Sequence, residues 1–267
     1  MPNPTYGRTQ PGAVGEVRAA SASKGTAVTT TLQRTRLPLG TQWVSLLPYN
    51  FTTAVVVRFN LNPWLTVLTT FDGLATASEW SSVAQDNQST TLVSLGGFPT
   101  TGAIYIGSYV PFGGVEVDAG TVNAVAATLT LQSSGPVGWE SLTATDGTAS
   151  GGATFAQSGN ITWTVPTDWA PQPLDFLEGL GDGGAAGMAG RSLYWVKVTV
   201  SAALTAGCTI QNAYSINRST AYAELVTGQA FSEAVDCGPG GITSVSCLTD
   251  AGTANLIINT AANRFAF

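Results

Sequence analysis

Few residues in this chain have the types and spacings that chemistry needs. There is no histidine, which removes the commonest general base and the commonest imidazole ligand. GxSxG, the P-loop and a GxGxxG opening a helix pattern are all absent. Two carboxylate groupings remain. Glu116 and Asp118 stand two apart, so a strand over Gly114 to Asp118 places both on one face, as a glycosidase pair would require. A solvated sheet edge explains them more simply. Asp175, Glu178 and Asp182 surround a glycine-rich run, where Gly181 and Gly183 would give a Ca²⁺ ion access to backbone oxygens. Their spacing fits no EF-hand, and a solvated acidic loop accounts for them. Cys208, Cys237 and Cys247 are odd in number, lack CxxC spacing and read as reduced, partly buried thiols. The residues thus predict no catalytic constellation, no cofactor and no metal, and the chain is not read as an enzyme.

The tryptophans are the other residues that could meet a ligand. Trp43, Trp64, Trp80, Trp139, Trp163, Trp169 and Trp195 together could form a sugar platform, as in a carbohydrate-binding module. Trp163 is in phase with Ile161 and Val165, which makes it a core residue. Trp195 is out of phase with Tyr194, Val196 and Val198, so it lies on the opposite face, free to pack against a neighbour or a ligand. Trp169 follows Pro166 at a strand exit and is placed similarly.

The elements that would hold these residues are strands. Leu129 and Leu131 alternate with Thr128, Thr130 and Gln132; Ile161, Trp163 and Val165 alternate with Asn160, Thr162 and Thr164. Leu193 to Val200 repeats the pattern with β-branched and aromatic residues. Asp146-Gly147 and Gly135-Pro136 supply turns, and Pro166 ends pairing because it has no N–H. Further strands are expected at Trp43–Leu47, Ala54–Phe59, Leu65–Phe71, Ile104–Ile106, Gly114–Asp118, Val122–Leu131, Cys208–Ile216, Ala221–Leu225, Ile242–Leu248 and Ala254–Ile258. The weak alternation of Ala54–Phe59 predicts a strand covered on both faces. Ala75 to Asp86 is the best helix candidate, and Gly179 to Gly190, half glycine, reads as a surface loop. Short strands at this spacing predict an all-β fold, a jelly-roll-like β-sandwich.

Composition and charge bear on partners. Only 10% of the 267 residues are charged, against about 25% ordinarily, which suits a subunit packed among neighbours or a hydroxyl-rich shell. Residues 1–36 hold five basic residues (Arg8, Arg18, Lys24, Arg34 and Arg36) against Glu16, a charge of +4. The remainder holds five basic and fifteen acidic residues, −10. Residues 1–36, rich in Pro, Gly and small polar side chains, are therefore read as an extended basic arm on a sandwich of residues 37–267, attaching to acidic neighbours. The basic residues lie singly with no interleaved aromatics, so nucleic acid is not the expected partner. No apolar run reaches the roughly twenty residues of a membrane helix, and MPNPTYGRTQPG lacks the apolar core of a signal peptide. The aromatic ending, Phe265 and Phe267, reads as docked on this or a neighbouring subunit.

One resemblance adds to this. Tyr105-Ile106-Gly107, Pro111-Phe112, Ala127 to Leu131, Trp139, Asp146-Gly147-Thr148, Phe155, Ile161 to Pro166, Asp168-Trp169 and Tyr194-Trp195-Val196 resemble a β-sandwich module of tailed-bacteriophage virion proteins, over about a third of the chain. The resemblance implies a structural role: a capsid cement or decoration protein, commonly a trimer, on the capsid exterior of a virion assembled in the host cytoplasm. Its partners would be the major capsid protein and copies of itself. Arg8, Arg18, Lys24, Arg34, Arg36, Trp195, Phe265 and Phe267 are the expected partner-binding residues. A tail, baseplate or fibre component and a carbohydrate-binding module are the alternatives.

Overall fold

The structure, a computed structural model, describes residues 18–19, 25–31, 33–38, 40–53, 56–86, 90–180, 190–216, 223–237 and 241–261. It is nearly all β, in antiparallel sheets packed on one another. The first strands are β1 (Arg18–Ala19), β2 (Thr26–Thr29), β3 (Gln33–Arg36), β4 (Trp43–Tyr49) and β5 (Val57–Pro63). Then come β6 (Thr66–Thr70), β7 (Ser78–Glu79), β8 (Val93–Ser94), β9 (Ala103–Ser108), β10 (Gly114–Ala119), β11 (Leu129–Gly135), β12 (Gly138–Leu142) and β13 (Ala144–Asp146). After β14 (Gly159–Trp163) and β15 (Gln172–Pro173), the one-turn helix α1 (Leu174–Leu177) leads to β16 (Ser192–Val200) and β17 (Thr209–Ile216). The last four are β18 (Ala223–Leu225), β19 (Phe231–Ala234), β20 (Ile242–Thr249) and β21 (Thr253–Ala261).

Pairing sorts these strands by position in the chain. Sheet I runs β1-β21-β4-β19 with β2 also on β21, and sheet II runs β18-β5-β20-β3. Sheet III runs β13-β14-β10-β17-β8, and sheet IV runs β12-β11-β16-β9-β6-β7 with β15 on β16. Sheets I and II draw only on strands up to Pro63 and from Ala223 onward; sheets III and IV draw only on Thr66 to Ile216. Two sandwiches therefore stand where the sequence suggests one over 37–267, the inner inserted between β5 and β18 of the outer. Alternation within a strand cannot distinguish them, because both sandwiches use the same period.

Each sandwich buries its own apolar layer. Val28, Val44, Leu46, Phe59, Val245 and Leu256 fill the space between sheets I and II. Ile106, Phe112, Val115, Leu131, Ile161, Trp163 and Val196 fill that between sheets III and IV. A void of about 30 Å³ remains in this second layer, lined by residues including Val115, Phe155 and Ala213. Sheet IV has a second apolar face as well, where Leu68, Tyr105, Leu193 and Trp195 pack with Leu174 of α1. Gly107 opposes Trp195 across the ladder. A Cβ there would come within 2.6 Å of the indole ring, so only glycine admits the tryptophan.

Three expectations change. Residues 26–29 and 33–36, read as part of the free arm, are ladder strands, β2 on β21 and β3 on β20. Ala75 to Asp86 forms no helix but two 3₁₀ turns, Leu74–Thr76 and Val83–Gln85, around β7. The strands buried along their whole length are β6 and β9 rather than β5, whose Arg58 faces solvent. In both sandwiches long-range ladders overrode local composition.

Candidate functional site

The most elaborate polar arrangement lies where the two sandwiches meet. On β10, Val115 and Val117 enter the core, so Glu116 and Asp118 point out of sheet III. Ladder partners share a face, which sets Tyr214 beside Glu116 and Asn212 beside Asp118. On sheet II, Phe59, Val245 and Cys247 point inward, leaving Arg34, Arg36, Asn62, Ser244 and Ser246 on the other face. The two polar faces meet. Arg34 forms an ion pair with Glu116, and Arg36 with Asp118 at 2.6 Å. Both guanidinium groups lie over the Tyr214 ring, 4.6 and 4.1 Å from its centroid. Asn62 donates to the Ser244 and Ser246 hydroxyls at 2.9 and 2.5 Å, and the Ser215 hydroxyl donates to the Pro63 carbonyl at 2.5 Å.

This seam is buried. Tyr214, Asn212, Asn62, Ser244 and Ser246 are all 2% exposed or less. Burial pulls the Arg34 guanidinium below its ordinary pKa while Glu116 pulls it back up, and an arginine stays charged through such a shift. Its Nη1 has no hydrogen-bond partner among the described residues. Two sequence readings are corrected together. Glu116 and Asp118 do share a face, but β10 lies inside sheet III between β14 and β17, and both carboxylates are held by arginine. Arg34 and Arg36, expected to reach a partner, are spent inside the chain. Spacing could have proposed the match, since both pairs alternate at i and i+2, but nothing local says that residues 82 apart will face each other.

The other expected partner residues divide. Trp195 is on the face its phase predicts, opposite Val196 and Val198, yet it is 0% exposed. The chain's own β15 and α1 cover it, and its indole donates to the Gln172 carbonyl at 2.9 Å. It cannot meet a neighbour. Trp169 is likewise buried, against Phe112 and Tyr194, and donates to the Ser134 hydroxyl. Arg18 pairs through its backbone with Thr260. Arg8, Lys24, Phe265 and Phe267 lie outside the described residues.

The tryptophans make no platform. Trp163 is a core residue whose indole donates to the Phe112 carbonyl at 2.9 Å; Trp43, at 37%, is exposed, and the other tryptophans are buried or half-buried. Glu178, one of the acidic residues weighed as a Ca²⁺ ligand, accepts from Lys197 Nζ at 2.8 Å and from the Trp139 indole at 2.9 Å. Lys197 stands 5.6 Å from the centroids of both the Tyr105 and Trp139 rings. Burial first, and Glu178 second, hold the Tyr105 phenol far above its usual pKa. The arrangement fastens α1 to sheet IV. Asp182 lies outside the described residues, among which no three potential ligands cluster. All three thiols are buried and unpaired, pushed up to about 11 for Cys208 and Cys237 and about 12 for Cys247 by burial above all.

What the seam and cores leave on the surface is apolar in places. Sheet IV brings the end of β9, the start of β16 and the β11–β12 turn to one end. There Tyr109 and Val110 are each 47% exposed and Val137 is 89% exposed, with Arg191 donating to the Tyr109 hydroxyl. Phe176 and Leu180, on and after α1, are exposed as well. No helix of the described residues is long and apolar enough to cross a membrane. No known family matches the chain, and neither a curated protein nor a solved structure matches it.

Proposed function

We propose that this chain is a structural protein of a tailed-bacteriophage virion that acts by contact, as a cement or decoration subunit on the capsid exterior. Its partners in this reading are the major capsid protein and copies of itself, in a trimer. The observation that carries the reading is the exposed apolar end formed by Tyr109, Val110 and Val137. Exposed apolar groups gathered at one end of a sheet suit a protein contact, and only 10% of the chain is charged. The resemblance of Tyr105 to Val196 to a virion sandwich module points the same way. Attachment would stabilise a shell by adding buried interface to the assembled state alone.

The test is co-sedimentation with empty capsids at low and high salt, using the full chain and Val137→Asp. The full chain should bind and Val137→Asp should bind at least ~10-fold more weakly, a loss of one buried apolar anchor. Binding should survive high salt, because apolar contact is not screened as surface charge is. Binding to tail or baseplate parts alone, or to a glycan array alone, would replace this reading with one of its alternatives.

A further inference from the structure

The inner sandwich has one blunted edge and one open edge. On the blunted side sheets III and IV end in β8 and β7, two residues each, flanked by the two 3₁₀ turns. On the open side both sheets end in one continuous run, Gly138 to Asp146, in which β12 and β13 are joined by Thr143 alone. Among the described residues β12 pairs only with β11 and β13 only with β14. A row of outward N–H and C=O groups is therefore available along these nine residues. Proteins ordinarily blunt such edges with proline, lysine or a bulge; this run has none. Beside it lies a recess of about 460 Å³ lined by Leu142 to Thr145 and Thr162 to Thr164, neutral throughout and rich in threonine.

The charges decide the occupant. The run carries Glu140 and Asp146 and no basic residue. If two copies joined edge to edge, antiparallel about Thr143, Glu140 would fall opposite Asp146 twice, and like charges facing across a ladder destabilise it. The fitting partner is an extended segment with a basic residue. Residues 1–17, outside the described residues, supply one: between Pro4 and Pro11 runs Thr5-Tyr6-Gly7-Arg8-Thr9-Gln10, a strand-length stretch whose only charge is Arg8. We infer that the open edge of Gly138 to Asp146 takes the Thr5 to Gln10 stretch of a second copy as an added strand. Backbone pairing would hold it and Arg8 would meet the acidic edge. A side chain of the added strand would enter the threonine recess. This rests on the self-association in the proposed function and not on attachment to a shell.

Amide hydrogen exchange over residues 138–146 tests it, on the full chain and on a chain lacking residues 1–17, at low and high protein concentration. At high concentration the full chain should exchange at least ~10-fold more slowly there than the shortened chain, one hydrogen bond's worth of protection. Dilution should remove the difference. A synthetic peptide of residues 1–17 should restore protection to the shortened chain, and an Arg8→Glu peptide should do so more weakly. Thr143→Pro, at a position between the two strands, should prevent protection. If it fails to fold, the peptide pair still decides. Protection independent of concentration would mean that each chain's own segment fills the edge; it would overturn the proposal. So would no protection, or protection by a neutral oligosaccharide and not by the peptide. Capsid binding by the shortened chain without edge protection would overturn strand addition alone and leave the virion reading standing.

Discussion

Replacing Glu116 with Gln asks the most of the seam between the sandwiches. The Arg34 side chain is 7% exposed and its Nη1 already lacks a partner among the described residues. Glu116→Gln keeps the shape and removes the charge in direct contact with Arg34, leaving a desolvated guanidinium with only the weaker pull of Asp118 to compensate it among the described residues. Breaking a buried pair from one side costs about 3–5 kcal/mol. Glu116 retains 34% of its side-chain surface in water, which sets the expectation at the lower end, about 3 kcal/mol. Arg34→Met with Glu116→Gln removes both charges and should recover most of that loss, since replacing both partners is often neutral. Asp118→Asn should cost less, about 1 kcal/mol, because both members of its pair are more than a quarter exposed. Denaturant unfolding followed by tryptophan fluorescence, with Arg34→Met alone as the fourth corner, gives the four free energies of the Arg34–Glu116 cycle. In Glu116→Gln the single transition should also broaden or split as the sandwiches lose their coupling. A cost below about 1 kcal/mol for Glu116→Gln, or a double variant no more stable than the single one, would refute the claim that this ion pair joins the two sandwiches.

The other expectations concern the cores and the thiols. Trp163→Ala should cost about 3–5 kcal/mol, because the ring is buried and its N–H is bonded to Phe112; a loss under 1 kcal/mol in the same assay would place it outside the core. Val115→Ile should stabilise by about 0.5 kcal/mol by partly filling the 30 Å³ void, and a lowered melting temperature would mean that the void cannot accept a methylene. Gly107→Ala should destabilise by about 1–3 kcal/mol through overpacking against Trp195, with the indole's near-UV signal changing in parallel. The thiol pKa values, raised in the fold to about 11 or 12, predict an alkaline loss. The unfolded chain ionises its cysteines first, so their contribution is intact below about pH 8.5 and falls as pH rises toward 12. Denaturant midpoints from pH 7 to 11 should show this fall, and replacing Cys247 with Ala should reduce its slope. An unchanged slope would assign the loss to other groups.

The local periodicity of the chain was enough for the all-β fold and most strand positions. Alternation at Leu193 to Val200 put Trp195 on the face opposite Val196, and the phase of Ile161, Trp163 and Val165 put Trp163 inside, because side-chain direction in a strand follows from parity alone. Parity does not say what covers a face. Phase alone leaves Trp195 available to a neighbour, but β15 and α1, which precede β16 in the chain, close over it. The same limit governs the charges. Arg34, Arg36, Glu116 and Asp118 form two alternating pairs in the sequence, one basic and one acidic, and local pattern alone turns each outward. Only the packing of sheet II on sheet III brings them together, across 82 residues, and turns a supposed arm into the seam. The insertion of one sandwich into the other is likewise a property of pairing between β5, β18, β20 and their neighbours. Local pattern carries the period of a strand, but a ladder partner is chosen by the whole chain, through burial that no short window contains.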